Sequence, residues 1–282
     1  MNPDILADIL QEPILQTRSL GGGDISRVLM LETPSRKVVA KIHPDVSLFE
    51  AEKDGLEGLA AVNAIRTPDI FACQETPEGA VLLMEYVAPK RPDQRDFEGL
   101  GQNLAHLHLH PQHEFGWRRD NYIGSLPQSN TPHPNWASFY VQERLLPQLR
   151  MSRDKQLLNK AEVPSPEKLA TGCQQLFSEV QPALLHGDLW SGNYLIATDG
   201  TPYLIDPAVY VGHHEVDLAM SRLFGGFGQA FYDVYHEIIP AAPGMNARND
   251  WYQLYYLLVH LNLFGSSYRN SVMSILKKYV KS

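Results

Sequence analysis

The spacing of apolar and polar residues changes character near residue 87. Before this point, short runs alternate with period two, which is the pattern of half-buried strands. The predicted strands are 27–32, 37–43, 68–74 and 80–87. After it, apolar residues recur with helical spacing, over 97–109, 136–149, 166–180, 251–264 and 267–279. We therefore predict an α+β protein of two lobes, with a small antiparallel-sheet lobe carrying one main helix at residues 1–87 and a larger, mostly helical lobe at residues 88–282.

The main helix of the first lobe, predicted at residues 47–64, carries a glutamate inside its apolar stripe. The stripe consists of Leu48, Phe49, Leu56 and Leu59. Glu52 lies at its centre, whereas Asp54 falls on the opposite, solvated side. A buried, unpaired carboxylate is unfavourable by several kcal/mol, so we expect Glu52 to pair with Lys41 of the strand at 37–43. The alternative is a glutamate at the rim of the stripe.

Three polar residues come together at one end of a predicted hairpin in the second lobe. The segment Leu184–Ile196 reads LLHGDLWSGNYLI; Asn193 follows Asp188 by five positions, and the second strand of the hairpin runs into Asp206. In phosphoryl transfer, an Asp orients and deprotonates the attacking hydroxyl, and an Asn with a second Asp holds magnesium, with this five-residue interval in protein kinases. The alternative is a tight turn in which Asp188 is only a local cap.

Three consecutive glycines, Gly21, Gly22 and Gly23, stand between two extended segments. Glycine backbone can approach phosphates closely, although the run matches neither a Walker A loop nor the GxGxxG spacing, and an ordinary hairpin tip is the alternative.

The strand at 80–87 breaks at Ala88-Pro89. We expect an interlobe hinge there, and place the lobe boundary at it.

Other polar groups fit less specific roles. His106, His108, His110 and His113 crowd the end of one helix, where packing is a better explanation than metal binding because no acidic or cysteine cluster has ligand spacing. The long loop at 114–135 is aromatic-rich and suits a substrate site. Asp217, near a predicted helix start, could be a cap or a brace for the catalytic loop. The short path from Asp206 to this helix leaves no room for a long activation segment, which favours a small acceptor or a small adduct on something larger.

Composition narrows the class of protein. The chain has 282 residues, 44% of them hydrophobic, a net charge of −8 and two cysteines. The length and the hydrophobic fraction support a sizeable core. The negative net charge argues against a nucleic-acid partner, and the two cysteines argue against a disulfide framework or a zinc site. No apolar run reaches membrane-spanning length and the N-terminus lacks a basic segment before an apolar core, so we expect a cytoplasmic protein without a membrane partner. The oligomeric state cannot be read from the sequence.

Several motifs together resemble the fructosamine kinase (ketosamine-3-kinase) family. They are HGDLWSGN, then IDPA, then EVDLAMSRLFGGF, the loop Asp120–Ser125 with Pro127 and Gln128, the segment Glu143–Leu149, and the three glycines followed by Ile25 and Ser26. The similarity extends from about Leu20 to Phe264. The octapeptide is more specific than the HGDxxxxN pattern shared with aminoglycoside and choline kinases.

The resemblance implies a protein-kinase-like fold and ATP- and Mg²⁺-dependent phosphorylation of the 3-hydroxyl of a ketosamine, free or on a glycated amine or protein. The unstable product then frees the amine. It further implies that Asp188 accepts the proton, that Asn193 and Asp206 bind magnesium, and that Glu52 orients Lys41 toward the phosphates. The implied nucleotide-binding positions are Gly21, Gly22, Gly23, Ser26, Lys41, Glu52, Glu85, Tyr86 and Val87, the last three through the backbone of the adenine hinge. The expected substrate contacts are Trp190, Asn121, Tyr122 and Asp217.

One position departs from the family pattern. Some relatives carry a cysteine after the third glycine, whereas this chain has Asp24, so thiol control is not expected there. Two alternatives stay open: a small-molecule kinase of the same fold acting on an aminoglycoside, choline or homoserine, and a nucleotide-binding pseudokinase. Trp190 and the full octapeptide argue against the first. The intact set of Lys41, Glu52, Asp188, Asn193 and Asp206 argues against the second.

Overall fold

A five-stranded antiparallel sheet forms the first lobe, in a computed structural model that describes residues 1–21, 25–177 and 179–280. The elements of this lobe are α1 (Pro3–Leu10), β1 (Gln16–Ser19), β2 (Arg27–Glu32), β3 (Lys37–His43), α2 (Val46–Ala61), β4 (Ile70–Thr76) and β5 (Gly79–Glu85). The strands lie in the order β1-β2-β3-β5-β4. Gly22, Gly23 and Asp24 of the predicted glycine loop fall outside the described residues.

The alternation of β3 divides its side chains between two cores, as predicted. Val38 and Ala40 join a cluster beneath α1, on one face of the sheet. On the other face, Phe49 and Leu56 of α2 pack against β5. The helix ends at Ala61, three residues before the predicted end, because Asn63 takes a left-handed conformation with φ of 56° that stops the helix.

The second lobe is mostly helical, as predicted. Its elements are α3 (Gln94–Leu109), β6 (Asn121–Ile123), β7 (Leu126–Gln128), α4 (Trp136–Phe139), a π-helix (Tyr140–Leu145), α5 (Leu146–Asp154), a 3-10 turn (Lys160–Glu162), α6 (Pro166–Leu176), β8 (Ala183–Leu185), β9 (Tyr194–Ile196), β10 (Pro202–Leu204), β11 (Tyr210–Gly212), α7 (Glu215–Leu223), α8 (Gln229–Ile238), α9 (Met245–Phe264), a second 3-10 turn (Ser266–Tyr268) and α10 (Arg269–Tyr279). Within the described residues, no helix is both long and apolar enough to cross a membrane.

Three sequence-based assignments in this lobe were incomplete. The region at 114–135 was predicted as a loop but contains the β6–β7 hairpin. The helix predicted at 136–149 is three consecutive helical segments, the middle one a π-helix. The helix predicted to reach residue 180 ends at Leu176. By contrast, the hairpin predicted around Asn193 and Asp206 is confirmed as the antiparallel pair β9–β10.

The chain passes between the lobes after β5. The amide of Lys90 donates a hydrogen bond of 2.8 Å to the carbonyl of Ile196 in β9, and its ammonium lies 2.9 Å from a carboxylate oxygen of Asp96. The elements form a two-lobed, protein-kinase-like α+β fold, in which Glu52 of α2 and the residues that flank the β9–β10 hairpin, Asn193 and Asp206, line one cavity. The boundary at residue 87 stays a prediction.

Candidate active site

The predicted ion pair between β3 and α2 is confirmed. Lys41 Nζ lies 2.6 Å from Glu52 Oε1, and the two side chains are only 10% and 15% exposed. The same ammonium also contacts the carboxylate of Asp206 from the second lobe. Burial disfavours the charged ammonium, but these two carboxylates outweigh it and raise the pKa of Lys41. Lys41 therefore links both lobes as a fixed positive charge.

The loop between β8 and β9 presents Asp188 and Asn193 side by side. The Asn193 amide nitrogen donates to the Asp188 backbone carbonyl at 2.9 Å and to its carboxylate at 3.1 Å. His186 is fully buried; its Nε2 lies 2.8 Å from the Ile205 carbonyl, and its Nδ1 accepts the Asp188 amide at 3.2 Å. The ring is therefore held as the Nε2–H tautomer. The five-residue interval thus closes a compact loop.

Asp206 completes the group at the end of β10. Its backbone has φ of 53°, a left-handed conformation uncommon outside glycine, and its side chain is 43% exposed toward the cleft. Burial raises its pKa, but the ammonium of Lys41 prevails and the pKa of Asp206 lies below its usual value. The left-handed backbone thus goes with an ionised carboxylate on Lys41 and a backbone carbonyl that lies 3.4 Å from the Asn193 amide nitrogen.

Asp188 has the opposite electrostatic environment. Burial, reinforced by the negative charge of Asp206, raises the pKa of Asp188 to about 7, against the lowering effect of the hydrogen bond from Asn193. Two neighbouring carboxylates with pKa values pushed apart are a common signature of distinct acid–base and charge-holding roles.

Asp217 lies beneath the loop rather than in the cleft. It is fully buried, and its carboxylate accepts the amides of His186 at 2.8 Å and Gly187 at 2.9 Å, as well as a contact of 3.2 Å from His108. This matches the bracing role considered from the sequence. The alternative placement of Asp217 among substrate contacts is not supported by its position, because it is absent from the lining of the cleft.

The candidate catalytic groups open into one cavity of about 830 Å³. Lys41, Glu52, Asp188, Asn193 and Asp206 line its polar end, together with Ser26. The predicted substrate positions Trp190, Asn121 and Tyr122 also line it, and Trp190 is 40% exposed there. The remaining wall is largely apolar and aromatic and includes Phe224, Phe264 and Tyr268.

Two sets of predicted nucleotide contacts are not part of this cavity wall. Gly21 is exposed, and neither it nor the hinge residues Glu85, Tyr86 and Val87 belongs to the lining found among the described residues. Their roles stay predictions. Both polar atoms of the Asn121 side chain have partners in the protein: the amide nitrogen donates to the Val209 carbonyl at 2.7 Å, and the oxygen accepts from Gln128 at 2.8 Å. Asn121 therefore shapes the cavity wall chiefly through its backbone and packing.

The structure adds residues that the sequence did not single out. Tyr256 is buried, and its hydroxyl donates to the Gly187 carbonyl at 2.8 Å. Asp54 was expected on a solvated face, and this was wrong: its carboxylate is 16% exposed and binds Trp117 and Arg118. Nothing in local spacing marks Tyr256, but two glycines near Asp54 in α2 could have indicated a second packed face.

The four histidines at and just beyond the end of α3 do not come together as a cluster of potential ligand atoms in the described residues. His106, His110 and His113 are exposed, and His108 is buried with its Nδ1 2.7 Å from the Tyr235 hydroxyl. A different group, His213, His214 and Glu215, brings three potential ligand atoms together. There, however, both carboxylate oxygens of Glu215 are bound by Arg248, at 2.6 and 2.7 Å.

Comparison with known proteins agrees with this geometry. A model of the fructosamine kinase family matches residues 4–282. A protein of Enterococcus faecium named probable ketoamine kinase is 42% identical over 92% of this chain and 93% of its own. The protein-ribulosamine 3-kinase, chloroplastic, of Arabidopsis thaliana is 37% identical over 98% of this chain and 86% of its own. A crystal structure from Thermobifida fusca, provisionally named fructosamine-3-kinase, has 32% identity and a TM-score of 0.88, covering 99% of this chain and 98% of that one. The chain therefore belongs to the fructosamine kinase family.

Proposed function

We propose that the protein is an ATP-dependent kinase that phosphorylates the 3-hydroxyl of ketosamines, the ribulosamine or fructosamine adducts of amines or proteins. The support for the substrate class is the family match and the names of the relatives, which include a ketoamine kinase and a protein-ribulosamine 3-kinase. The support for the chemistry is the single cavity into which Lys41, Asp188, Asn193 and Asp206 all open. We expect the phosphorylated adduct to break down and release the amine, as the family resemblance implies.

The donor set fits magnesium and nucleotide phosphates. Mg²⁺ prefers carboxylate and carbonyl oxygens. Asp206 offers a carboxylate that is 43% exposed, and Asn193 uses its amide nitrogen on Asp188, which leaves its carbonyl oxygen as an acceptor. We propose that these two residues hold the ion and that Lys41 binds phosphate oxygens. When bound, Mg²⁺ neutralises charge on the phosphates during transfer.

Asp188 is the proposed proton acceptor. Its carboxylate faces the cavity, and the hydrogen bond from Asn193 fixes the orientation of one oxygen. A base with a pKa raised to about 7 can take a proton from a sugar hydroxyl as the oxygen attacks. The braced amides of His186 and Gly187 keep this carboxylate in place, so little reorganisation is needed.

Substitution of this base gives the direct test. We expect Asp188→Asn to lower kcat by about 10²–10⁴-fold, because the amide keeps the shape of the side chain but cannot accept the proton. ADP release with Mg²⁺ and ribulosyl-lysine or fructosyl-lysine measures turnover, and titration with ATP measures binding. Asp154→Asn, at an exposed carboxylate on α5, is the control and should behave as the parent.

An acceptor panel tests the substrate class. Turnover on the ketosamines, without turnover on choline, homoserine or an aminoglycoside, is the expected result. Activity confined to one of those other acceptors would contradict the proposed substrate, and full turnover by Asp188→Asn would contradict the proposed base. The cytoplasm is the proposed location.

A further inference from the structure

Helix α2 packs on two sides, not one. Toward the sheet, Phe49 and Leu56 contact the residues of β5. On the other side its backbone lies directly against the second lobe, because a methyl group at Gly55 would come within 3.1 Å of Pro207, and one at Gly58 within 2.8 Å of the Trp117 ring. The helix is therefore in contact with the second lobe along the side that does not face the sheet.

A polar contact closes this second interface. Asp54 Oδ2 accepts from the indole Nε1 of Trp117 at 2.6 Å, and Oδ1 accepts from Arg118 Nε at 2.7 Å. The Arg118 guanidinium also donates to the Asp54 carbonyl at 3.2 Å and lies 4.9 Å from the centre of the Trp117 ring. We refer to Asp54, Trp117 and Arg118 as the clasp. Charge-assisted hydrogen bonds of this length are stronger than neutral ones.

The neighbouring contacts are weaker. Arg119 reaches Glu50 at 3.3 Å, but these side chains are 39% and 52% exposed, and exposed pairs of this kind contribute little. The Ser47 hydroxyl meets the Tyr122 hydroxyl at 2.8 Å. Within the clasp, Asp54 is only 16% exposed and Trp117 is half-buried, whereas Arg118 is 56% exposed. Its shielded part is therefore the hydrogen bond between the Asp54 carboxylate and the Trp117 indole.

The position of the clasp relates it to catalysis. Asp54 follows Glu52 by two residues, about 200° around the helix, so the clasp holds α2 from the side opposite to Lys41. In protein kinases the corresponding Lys–Glu pair must be assembled for activity, and movement of its helix controls it. We propose that Asp54 is a positioning residue that fixes α2 through Trp117 and Arg118 and keeps the Lys41–Glu52 pair assembled before nucleotide binds. This inference rests on the proposed kinase function.

The test is Asp54→Ala, measured in the full chain by three readouts. Titration with MgATP in the absence of acceptor should show affinity lowered by about tenfold. Steady-state kinetics should show a raised KM for ATP and a lowered kcat, with the KM for the acceptor unchanged. In a ¹⁵N-labelled sample, the indole N–H resonance of Trp117, one of four tryptophans, should move because its acceptor is gone; Trp117→Phe assigns that resonance.

Matched variants separate positioning from a general loss of structure. Arg119→Ala removes the exposed pair from the same loop and should leave all three readouts unchanged. Asp54→Asn keeps an acceptor for the indole and should restore part of the affinity. Should Asp54→Ala fail to fold, Trp117→Phe, which removes the indole donor to Asp54, replaces it, with an expected loss of ATP affinity in the same direction.

Three results would overturn the proposal. One is a lower melting temperature with unchanged ATP affinity in the folded protein. Another is an unmoved Trp117 resonance, and the third is an equal effect of Arg119→Ala. Because ATP affinity is measured without acceptor, failure of every ketosamine as a substrate would count against the proposed function and leave the clasp to be judged on its own.

Discussion

At the scale of single residues, Gly187 shows how tightly the loop around Asp188 is packed. Its φ is 82°, a region that residues with side chains rarely adopt, and a methyl group there would overlap the carbonyl oxygen of Ala208. Its amide binds Asp217 and its carbonyl binds Tyr256. Both peptide groups of Gly187, the residue before Asp188, are therefore fixed by buried partners, which sets the direction of the proposed base.

Gly187→Ala should lower the free energy of unfolding by about 2 kcal/mol or more, from strain and overlap together, and should also lower kcat. Urea denaturation and ADP release measure the two effects. Gly99→Ala is the matched control, because this glycine lies in α3 with no atom within 4 Å of an added methyl group. The free energy of unfolding of Gly99→Ala should rise by about 0.5–1 kcal/mol. Equal stability of both variants would contradict the packing described for the loop.

His213 and His214 introduce a dependence of stability on pH. Burial lowers the pKa of His214 to about 3 and that of His213 well below its usual value. His213 Nδ1 lies 2.6 Å from the Tyr252 hydroxyl, and His214 Nδ1 lies 2.9 Å from the Tyr235 hydroxyl. Other titratable or charged groups beside them are His108, Glu215, His236 and Arg248. Both imidazoles are thus kept neutral in the folded state.

In the unfolded chain these histidines titrate near 6.5. The folded state therefore keeps its full stability above that pH and loses it as the pH falls from 6.5 toward 3, by about 1.4 kcal/mol per histidine at about pH 5.5. His214→Gln should flatten the decline in unfolding free energy between about pH 7.5 and about pH 5.5. His106→Gln, at an exposed site of α3, should follow the parent. If the unfolding free energy of His214→Gln fell with pH as steeply as that of the parent, the pH dependence would not come from His214.

At the scale of elements, the β6–β7 hairpin binds the segment that follows Asp206. Asn121 and Gln128 bind each other and the carbonyls of Val209 and Ala208, just after Asp206 and Pro207, and the Tyr255 hydroxyl donates to Gln128 at 2.5 Å. The backbone that follows Asp206 is therefore held by side chains of the hairpin and of α9.

Arg144, in the π-helix, anchors the end of this hairpin. It is fully buried, and among the described residues it has no carboxylate partner. Its guanidinium donates to the Ser129 carbonyl at 2.5 Å and to Asn130 Oδ1 at 2.6 Å, and stacks 3.9 Å from the centre of the Tyr210 ring. A planar guanidinium suits these contacts and an ammonium does not.

Arg144→Lys should therefore lower the free energy of unfolding by about 2–3 kcal/mol, since buried acceptors lose their donors. Urea denaturation measures the change. Arg150→Lys, at an exposed position of α5, should stay within about 0.5 kcal/mol of the parent. A similarly small change in Arg144→Lys would show that the ring stacking and the carbonyl contacts contribute little.

The elements also show what the sequence could and could not predict. Strands β2 and β3 follow from alternation because alternate residues of each, Leu29 and Leu31 in β2 and Val38 and Ala40 in β3, lie in the core beneath α1. β6 and β7 are three residues long, too short for a period to appear. Asp54 was misplaced because an amphipathic stripe identifies one buried face of a helix, and α2 has two. The Lys41–Glu52 pair was predictable because a carboxylate inside an apolar stripe requires a cation.

At the scale of the whole molecule, the lobes are connected by the chain and by several contacts. The chain itself crosses at Lys90, bound to Ile196. Helix α2 carries Leu59 into a core shared with Leu204 of the second lobe, while its sheet side packs on β5. The Lys41–Asp206 ion pair and a hydrogen bond of 2.9 Å from the Leu204 amide to the Arg66 carbonyl add to these contacts.

If the linker at Lys90 and the contacts of α2 both stay in place, a rotation of the sheet that widened the cleft would have to separate the Lys41 ammonium from the Asp206 carboxylate. Opening of the cleft and release of this ion pair would then be a single mechanical event.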